Sequence, residues 1–327
     1  MMHKISRLSP CLAAMGLVIA LFLPSPRGIY AAAEENLIVF HAGSLAVPFK
    51  ALAKAFSKQY PHVSIDLEAS GSRTCARKIT DLKRPCDVMA SADYTVINNL
   101  LIPQYAAWNI SFATNEMAIA YRSDAKGAKN INGKNWYDIL LQKGAQYGHS
   151  DPNSDPCGYR TLLVWQLAEK YYQIPGLYPK LMEGCPQKNI RPKETDLIAL
   201  LEVGEIDYLF IYRSVCEQHK MPYVVLPDKI NLKSVRYETF YKQAEIKING
   251  KKPGDYILKR GNAMVYGITI PKSAPHRDLA IRFVAFVVGP KGQKIMQENG
   301  QPPISPPRAT GDLDDLPPLL QKLATSR

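Results

Sequence analysis

LIVFHAGSLAVPFKALAKAF, residues 37–56, changes its period halfway along. Leu37 to Phe40 is a short apolar run of strand type. His41-Ala42-Gly43-Ser44 interrupts it, and Leu45, Phe49, Leu52, Ala53 and Phe56 then recur at the spacing of one helix face. Strand, Gly/Ser turn and helix, in that order, make an α/β unit. The unit repeats downstream. Val63, Ile65 and Leu67 alternate with polar residues, Ser70-Gly71-Ser72-Arg73 opens a second helix, and Asp87 to Ala90 reads as a third strand. Strands separated by helices predict a parallel sheet with helices on both faces.

The pattern restarts after about Thr114. Met117 to Tyr121 reads as a strand, Trp136 to Leu141 as a short helix, Leu162 to Tyr172 as a longer one. Leu197 to Val203 is helical and Tyr208 to Ile211 a strand. Lys229 to Asn262 is polar and rich in Tyr, Lys and Gly, which suits extended crossing segments or a surface insertion. Met264 to Ile270 is another strand, Leu279 to Val288 a mostly apolar helix, and the tail from Ala309 is expected to be loosely held. Two α/β halves of similar size, with no repeat at fixed period, predict two lobes with a cleft between them. The expected division is lobe 1 at 34–114 plus 269–327 and lobe 2 at 115–268, with hinge crossings near 112–117 and within 235–268.

Residues 1–33 carry a different signal. Lys4 and Arg7 precede a thirteen-residue apolar run, Cys11 to Leu23, and Ala31-Ala32-Ala33 stand ahead of Glu34. That order is the mark of an export signal cut after Ala33, and the run is too short for a membrane span, which needs about 20 residues. An exported protein, periplasmic or at the cell surface, is expected. Without Lys4, Arg7 and Arg27, 38 basic residues face 29 acidic ones, a net charge of +9. The excess suits an anionic partner, but no basic run or basic-aromatic alternation of the nucleic-acid kind occurs. Five cysteines follow the signal, namely Cys75, Cys86, Cys157, Cys185 and Cys216. They allow up to two disulfides, and the lack of any CxxC argues against structural zinc.

Three turns hold the chemistry: Ala42-Gly43-Ser44, Ser70-Gly71-Ser72 and Asp155-Pro156-Cys157-Gly158. In open α/β sheets, ligands gather outside the carboxyl ends of the strands. Helix N-termini there offer unpaired N–H groups and a partial positive charge, and serine hydroxyls add donors that rotate to suit. Such a set fits a small, fully ionised oxyanion. Each serine also has a plainer reading as an N-cap.

The stretches LIVFHAGSL (37–45), LEASGSRTCARKI (67–79), RPCDVMASAD (84–93), SDPNSDPCGYRT (150–161), KETDLIALLEVGEIDYLFIYRS (193–214) and FVVGPKGQKIMQENG (286–300) together resemble the molybdate- and tungstate-binding proteins that feed ABC importers, the ModA/WtpA group. The resemblance runs in order from about residue 36 to residue 305. It implies a two-lobed class II periplasmic binding protein fold, each lobe a sheet flanked by helices. The implied function is to capture molybdate or tungstate by lobe closure and deliver it to a membrane permease. A monomer with an anion for a ligand, no cofactor and no catalysis is what the group implies.

Carried onto matching positions, the resemblance implies Ser44 from the first turn and Ser72 from the second, with Ser70 as the one-residue alternative. It implies a backbone N–H at Cys157, a second backbone donor near Glu194, and the hydroxyl of Tyr212. In the tungstate-type branch the aspartate of DPCGYR is a direct metal ligand together with a glutamate ahead of the strand-end tyrosine. Asp155 stands at the first place, and Ile211 occupies the second. Glu217, six residues beyond Ile211, is not expected to substitute. A carboxylate facing a dianion without a metal–oxygen bond is repelled by several kcal/mol per unit-charge pair at ~4 Å. Asp155 therefore either ligates the metal alone or caps the following helix and turns away.

A cage of donors favours an anion with no proton, since an unmet buried polar group costs about 1–3 kcal/mol. Sulfate or thiosulfate is the nearest alternative ligand. The rivals from other classes are weaker. Cys157 with His149, or His41 with Ser44, would suit a secreted cysteine- or serine-nucleophile enzyme, yet no nucleophile motif such as GxSxG accompanies them. A transcription-regulator effector domain needs an N-terminal helix-turn-helix, where this chain has an export signal.

Overall fold

The computed structural model describes residues 35–326. The export signal read at 1–33, with its cleavage after Ala33, lies outside the described residues.

Two sheets organise the chain. The first is built from β1 (Glu35–Ala42), β2 (Val63–Ser70), β3 (Val88–Ser91), β4 (Trp108–Thr114) and three strands from the far end of the sequence. The second contains β5 (Met117–Tyr121), β6 (Tyr147–Ser150), β7 (Ile190–Arg191), β8 (Tyr208–Tyr212) and β9 (Tyr223–Val225). A separate two-stranded ribbon, β10 (Glu245–Asn249) with β11 (Tyr256–Arg260), occupies part of the polar stretch. The chain then returns to the first sheet through β12 (Val265–Thr269), β13 (Pro303–Gly311) and β14 (Thr325–Ser326).

The first sheet has the order β14-β13-β4-β12-β3-β1-β2. β1 is parallel to both β2 and β3, as strands joined by crossover helices must be. β12 is antiparallel to β3 and β4, so the sheet is mixed where a parallel one was expected. The second sheet, β7-β6-β8-β5-β9, is also mixed, with β5 antiparallel to both neighbours. β12 runs whole in the first sheet, although the expected boundary at 268 would divide it. Only Asn115 and Glu116 separate β4 from β5, so the chain passes between sheets in a two-residue link.

The opening stretch folds as its period requires. Helix Ala46–Ser57 buries Phe49, Leu52 and Phe56, and Phe283 meets Phe49 and Phe56 edge-on at 6.3 and 5.2 Å between ring centroids. Around the second sheet Phe210 is flanked by Trp136 and Trp165, at 5.5 and 5.3 Å, both edge-on. The tail corrects expectation. Ala309 is buried in β13, Leu316 and Leu320 pack inward, and β14 pairs with β13. Leu313, Leu316, Leu320 and Leu323 recur every three or four residues, but Pro317 and Pro318 interrupt them, so packing rather than a continuous pattern reveals the segment. The five described cysteines are all buried and free.

Candidate functional site

β1 ends at Ala42, and a tight turn, Gly43–Leu45, buries Ser44. The Ser44 hydroxyl oxygen accepts from the Tyr266 hydroxyl at 3.0 Å. Tyr266 stands on β12, and its own oxygen accepts from Asn115 Nδ2 at 2.8 Å. Gln301 Nε2 donates to the Ser44 carbonyl at 2.8 Å, which holds the turn.

Ser72 begins the helix Ser72–Thr80 and is fully buried. Its oxygen accepts the Ala92 N–H at 2.9 Å. The next two amides of that helix, Arg73 and Thr74, both donate to the Ser154 carbonyl, at 3.1 and 3.3 Å. This approach requires glycine at 71, because a Cβ there would lie 2.4 Å from the Ser154 oxygen. Ser70, the alternative to Ser72, is only half-buried, and its hydroxyl accepts from the Lys78 ammonium.

Asp155 is the N-cap of helix Pro156–Tyr172, and Pro156 supplies the first helical residue. Its Oδ1 accepts the Cys157 N–H at 3.2 Å and its Oδ2 the Glu194 N–H at 3.0 Å. Both amides expected to face an anion therefore serve Asp155. Glu194 itself is fully buried, and with its carboxyl ionised neither oxygen has a hydrogen-bond partner. A Cβ on Gly43 would fall 2.8 Å from one of these oxygens, so glycine leaves room for them. Burial, then the Asp155 charge alongside, pushes the Glu194 carboxyl well above the usual carboxylate range. Burial raises the Asp155 carboxyl too, opposed by its hydrogen bonds. A proton shared between the two carboxyls would join them directly.

The resemblance implies a second carboxylate at position 211, ahead of the strand-end tyrosine. There Ile211 is buried and pairs with Ala118 across the sheet. Glu217 bonds Arg213 at 3.1 Å and accepts from the Tyr223 hydroxyl at 3.2 Å. The carboxylate beside Asp155 is that of Glu194, residue 194 having been read only for its backbone. The signal was present in the quoted stretch KETDLIALL, an acid just ahead of a helix, but nothing local tells which way it points.

Tyr212 closes β8 and is fully buried. Its hydroxyl oxygen accepts from Arg160 Nη1 at 3.0 Å, and the same nitrogen donates to the Ala92 carbonyl at 2.7 Å. Arg160 lies 4.0 Å from Asp93 Oδ2, which also takes the Lys259 ammonium at 2.7 Å and the Tyr159 hydroxyl at 2.5 Å. Lysine and arginine hold the Asp93 carboxyl far below its ordinary range despite its burial. Arg160, Tyr266, Asn115, Asp93 and Lys259 were not read as site residues from the sequence. Arg160 lies in the DPCGYR motif and Tyr266 on the strand expected at Met264 to Ile270.

Two contact paths join Ser44 to Ser72. One runs through Tyr266, Tyr212, Arg160 and Ala92, the two tyrosine rings being 6.5 Å apart. The other runs through Gly43, Glu194, Asp155, Ser154 and Gly71. Hydroxyls lie on the first path and carboxylates on the second. Such a ring can hold an anion by its oxygens on one side and offer oxygen ligands to a Lewis-acidic centre on the other. Among the described residues no group of three His, Cys, Asp or Glu side chains stands ready for a metal cation. No helix among them is long and apolar enough to cross a membrane.

Residues 37–301 match the model of the bacterial extracellular solute-binding protein family. A solute-binding protein of Petrotoga mobilis is 56% identical over 88% of this chain and 89% of its own. The molybdate/tungstate-binding protein WtpA of Thermococcus kodakarensis is 42% identical over 86% of both chains. Among solved structures, the periplasmic molybdate-binding protein of Azotobacter vinelandii superposes with a TM-score of 0.59 at 20% identity, over 81% of this chain and 98% of its own. That likeness shows the fold.

Proposed function

This chain belongs to the bacterial extracellular solute-binding protein family, and on that premise we propose that it captures molybdate or tungstate and hands it to the membrane permease of an ABC importer. It does so as a monomer, exported by a leader cut after Ala33, and without catalysis. The lobes are built on the two sheets and hinge at Asn115-Glu116 and in the stretch ahead of β12. Closure over the anion is the mechanism, because a ligand that touches both lobes stabilises the closed form.

The observation that carries this reading is the buried pair of carboxyls, Asp155 and Glu194, in a ring that also holds Ser44, Ser72 and Tyr212. Two carboxylates repel a simple oxyanion, by about 4 kcal/mol per unit-charge pair at ~4 Å and an effective dielectric of about 20. Molybdenum(VI) and tungsten(VI) accept additional oxygen ligands, so the same carboxylates become bonding partners. Sulfur in sulfate does not. Asp155 and Glu194 would bind the metal, while Ser44, Ser72 and Tyr212 would donate to its oxo groups.

One observation favours sulfate as the second reading. The raised Glu194 carboxyl would, if protonated, donate to any oxyanion. Calorimetric titration with molybdate, tungstate, sulfate and phosphate decides. Tight molybdate or tungstate binding with weak sulfate is expected, and tighter sulfate binding would reverse the assignment.

A further inference from the structure

A hydroxyl can donate one hydrogen bond and accept two, so its polarity at a binding site depends on its other partner. In this ring two of the three such partners can only donate, and the third is fixed as a donor by what lies behind it. Ser72 accepts from the backbone N–H of Ala92 at 2.9 Å. Tyr212 accepts from the Arg160 guanidinium at 3.0 Å, and a guanidinium has no acceptor to offer. Ser44 is bonded to another hydroxyl, that of Tyr266, so its case is settled one step further back.

That step is Asn115, in the link between the sheets. Its Oδ1 accepts two backbone N–H groups, from Glu116 at 2.9 Å and Ser214 at 3.4 Å. The amide is thereby oriented, and its Nδ2 must face Tyr266 at 2.8 Å and the Ser214 hydroxyl at 2.7 Å. Tyr266 accepts from Asn115, which sends its own proton to Ser44. Among the described residues, none of the three hydroxyls donates to a protein acceptor. Each has one proton left over.

We infer that Asn115–Tyr266 and Arg160 are positioning residues which, with the Ala92 N–H, fix Ser44, Tyr212 and Ser72 as hydrogen-bond donors toward the bound anion. This rests on the function proposed above and deepens it, since it explains why three hydroxyls rather than cations surround the oxo groups. A hydroxyl that already accepts a bond is also a better donor, because hydrogen bonds in a chain polarise one another.

The test is a double-mutant cycle read by molybdate calorimetry. Tyr266→Phe removes one oxygen and leaves Asn115 its bond to Ser214. It should weaken molybdate binding by about three- to ten-fold in the otherwise native protein. In a Ser44→Ala background the same change should do nothing, because Tyr266 acts through Ser44. Equal losses in both backgrounds would make Tyr266 merely structural, and no loss in either would remove it from the site. Both results overturn the inference. Should Tyr266→Phe fail to fold, the arm at Tyr212 serves. Arg160→Lys, which keeps a donor-only cation, should bind more tightly than Arg160→Met, and the gap should close in a Tyr212→Phe background. A gap that persists there overturns the inference. If the native protein takes up neither molybdate nor tungstate, the proposed function fails, which is a separate result.

Discussion

The Glu194 backbone N–H donates to the Asp155 carboxylate at 3.0 Å, while the Glu194 side chain, fully buried against Gly43, has no partner for either oxygen when ionised. One residue thus steadies an acid through its backbone and crowds it through its side chain. A buried carboxyl beside a second one is costly to folding, and under the proposed function coordination of the metal would offset that cost.

Replacing that carboxyl separates the two roles. Glu194→Gln should raise the stability of the anion-free protein by about 1–3 kcal/mol and lower tungstate affinity at least ten-fold, roughly one lost metal–oxygen contact. Asp155→Asn should lower tungstate affinity similarly while costing about 1 kcal/mol of stability as a cap. Denaturant unfolding and calorimetry read both quantities. Unchanged tungstate affinity in the two variants would leave Asp155 as a helix cap only.

Deletion of single hydroxyls probes the opposite side of the ring. Ser44→Ala and Tyr212→Phe should each weaken molybdate binding by about ten-fold, the worth of one buried hydrogen bond to a charged group. Circular dichroism should show an intact fold in each. Native affinity in both would take these residues out of the site.

Close approach at Gly71 should matter to binding as well. A methyl at 71 would lie 2.4 Å from the Ser154 carbonyl and 2.9 Å from that of Pro192. Gly71→Ala is expected to reduce molybdate affinity by about ten-fold or more, since overpacking typically costs 1–3 kcal/mol. The rise in melting temperature caused by molybdate should shrink with it. A full-sized rise would mean that the two segments need not meet when the anion binds.

Acid and base should act on different groups. Burial lowers the His41 ring from 6.5 to about 4, so below pH 6.5 the unfolded chain takes up a proton that the folded chain refuses. Stability is lost as the pH falls through that window, by roughly 3 kcal/mol for His41. The carboxyl pair runs the other way. Both carboxyls are raised in the folded protein, so their contribution is complete below about pH 4 and is lost as the pH rises through the raised range. His41→Gln should flatten the acid limb, and Glu194→Gln the limb above it. Unfolding of the anion-free variants over about pH 4 to 8 tests both signs.

The thiols should be silent until the fold opens. Burial pushes Cys75 and Cys185 up to about 12 and raises the others further. A thiol reagent near neutral pH should label none of the five in the native protein and all five in denaturant. Rapid labelling of the folded chain, or a shortfall after unfolding, would contradict the arrangement.

What the chain determined by itself is local. Strand, Gly/Ser turn and helix were legible at residues 37–56 because their signals lie within a few positions of each other. The turn serines Ser44 and Ser72, Asp155 at a helix start and the strand-end Tyr212 were legible for the same reason, though whether Asp155 caps or ligates stayed open. The tertiary structure alone decided how these pieces meet. The second carboxylate comes from Glu194, 39 residues from Asp155, and the donors behind Ser44 and Tyr212 come from Tyr266 and Arg160, at separations of 222 and 52 residues. Side-chain direction and hydroxyl polarity follow from what packs against a group once the sheets are assembled. A short-range pattern holds no record of partners so far along the chain.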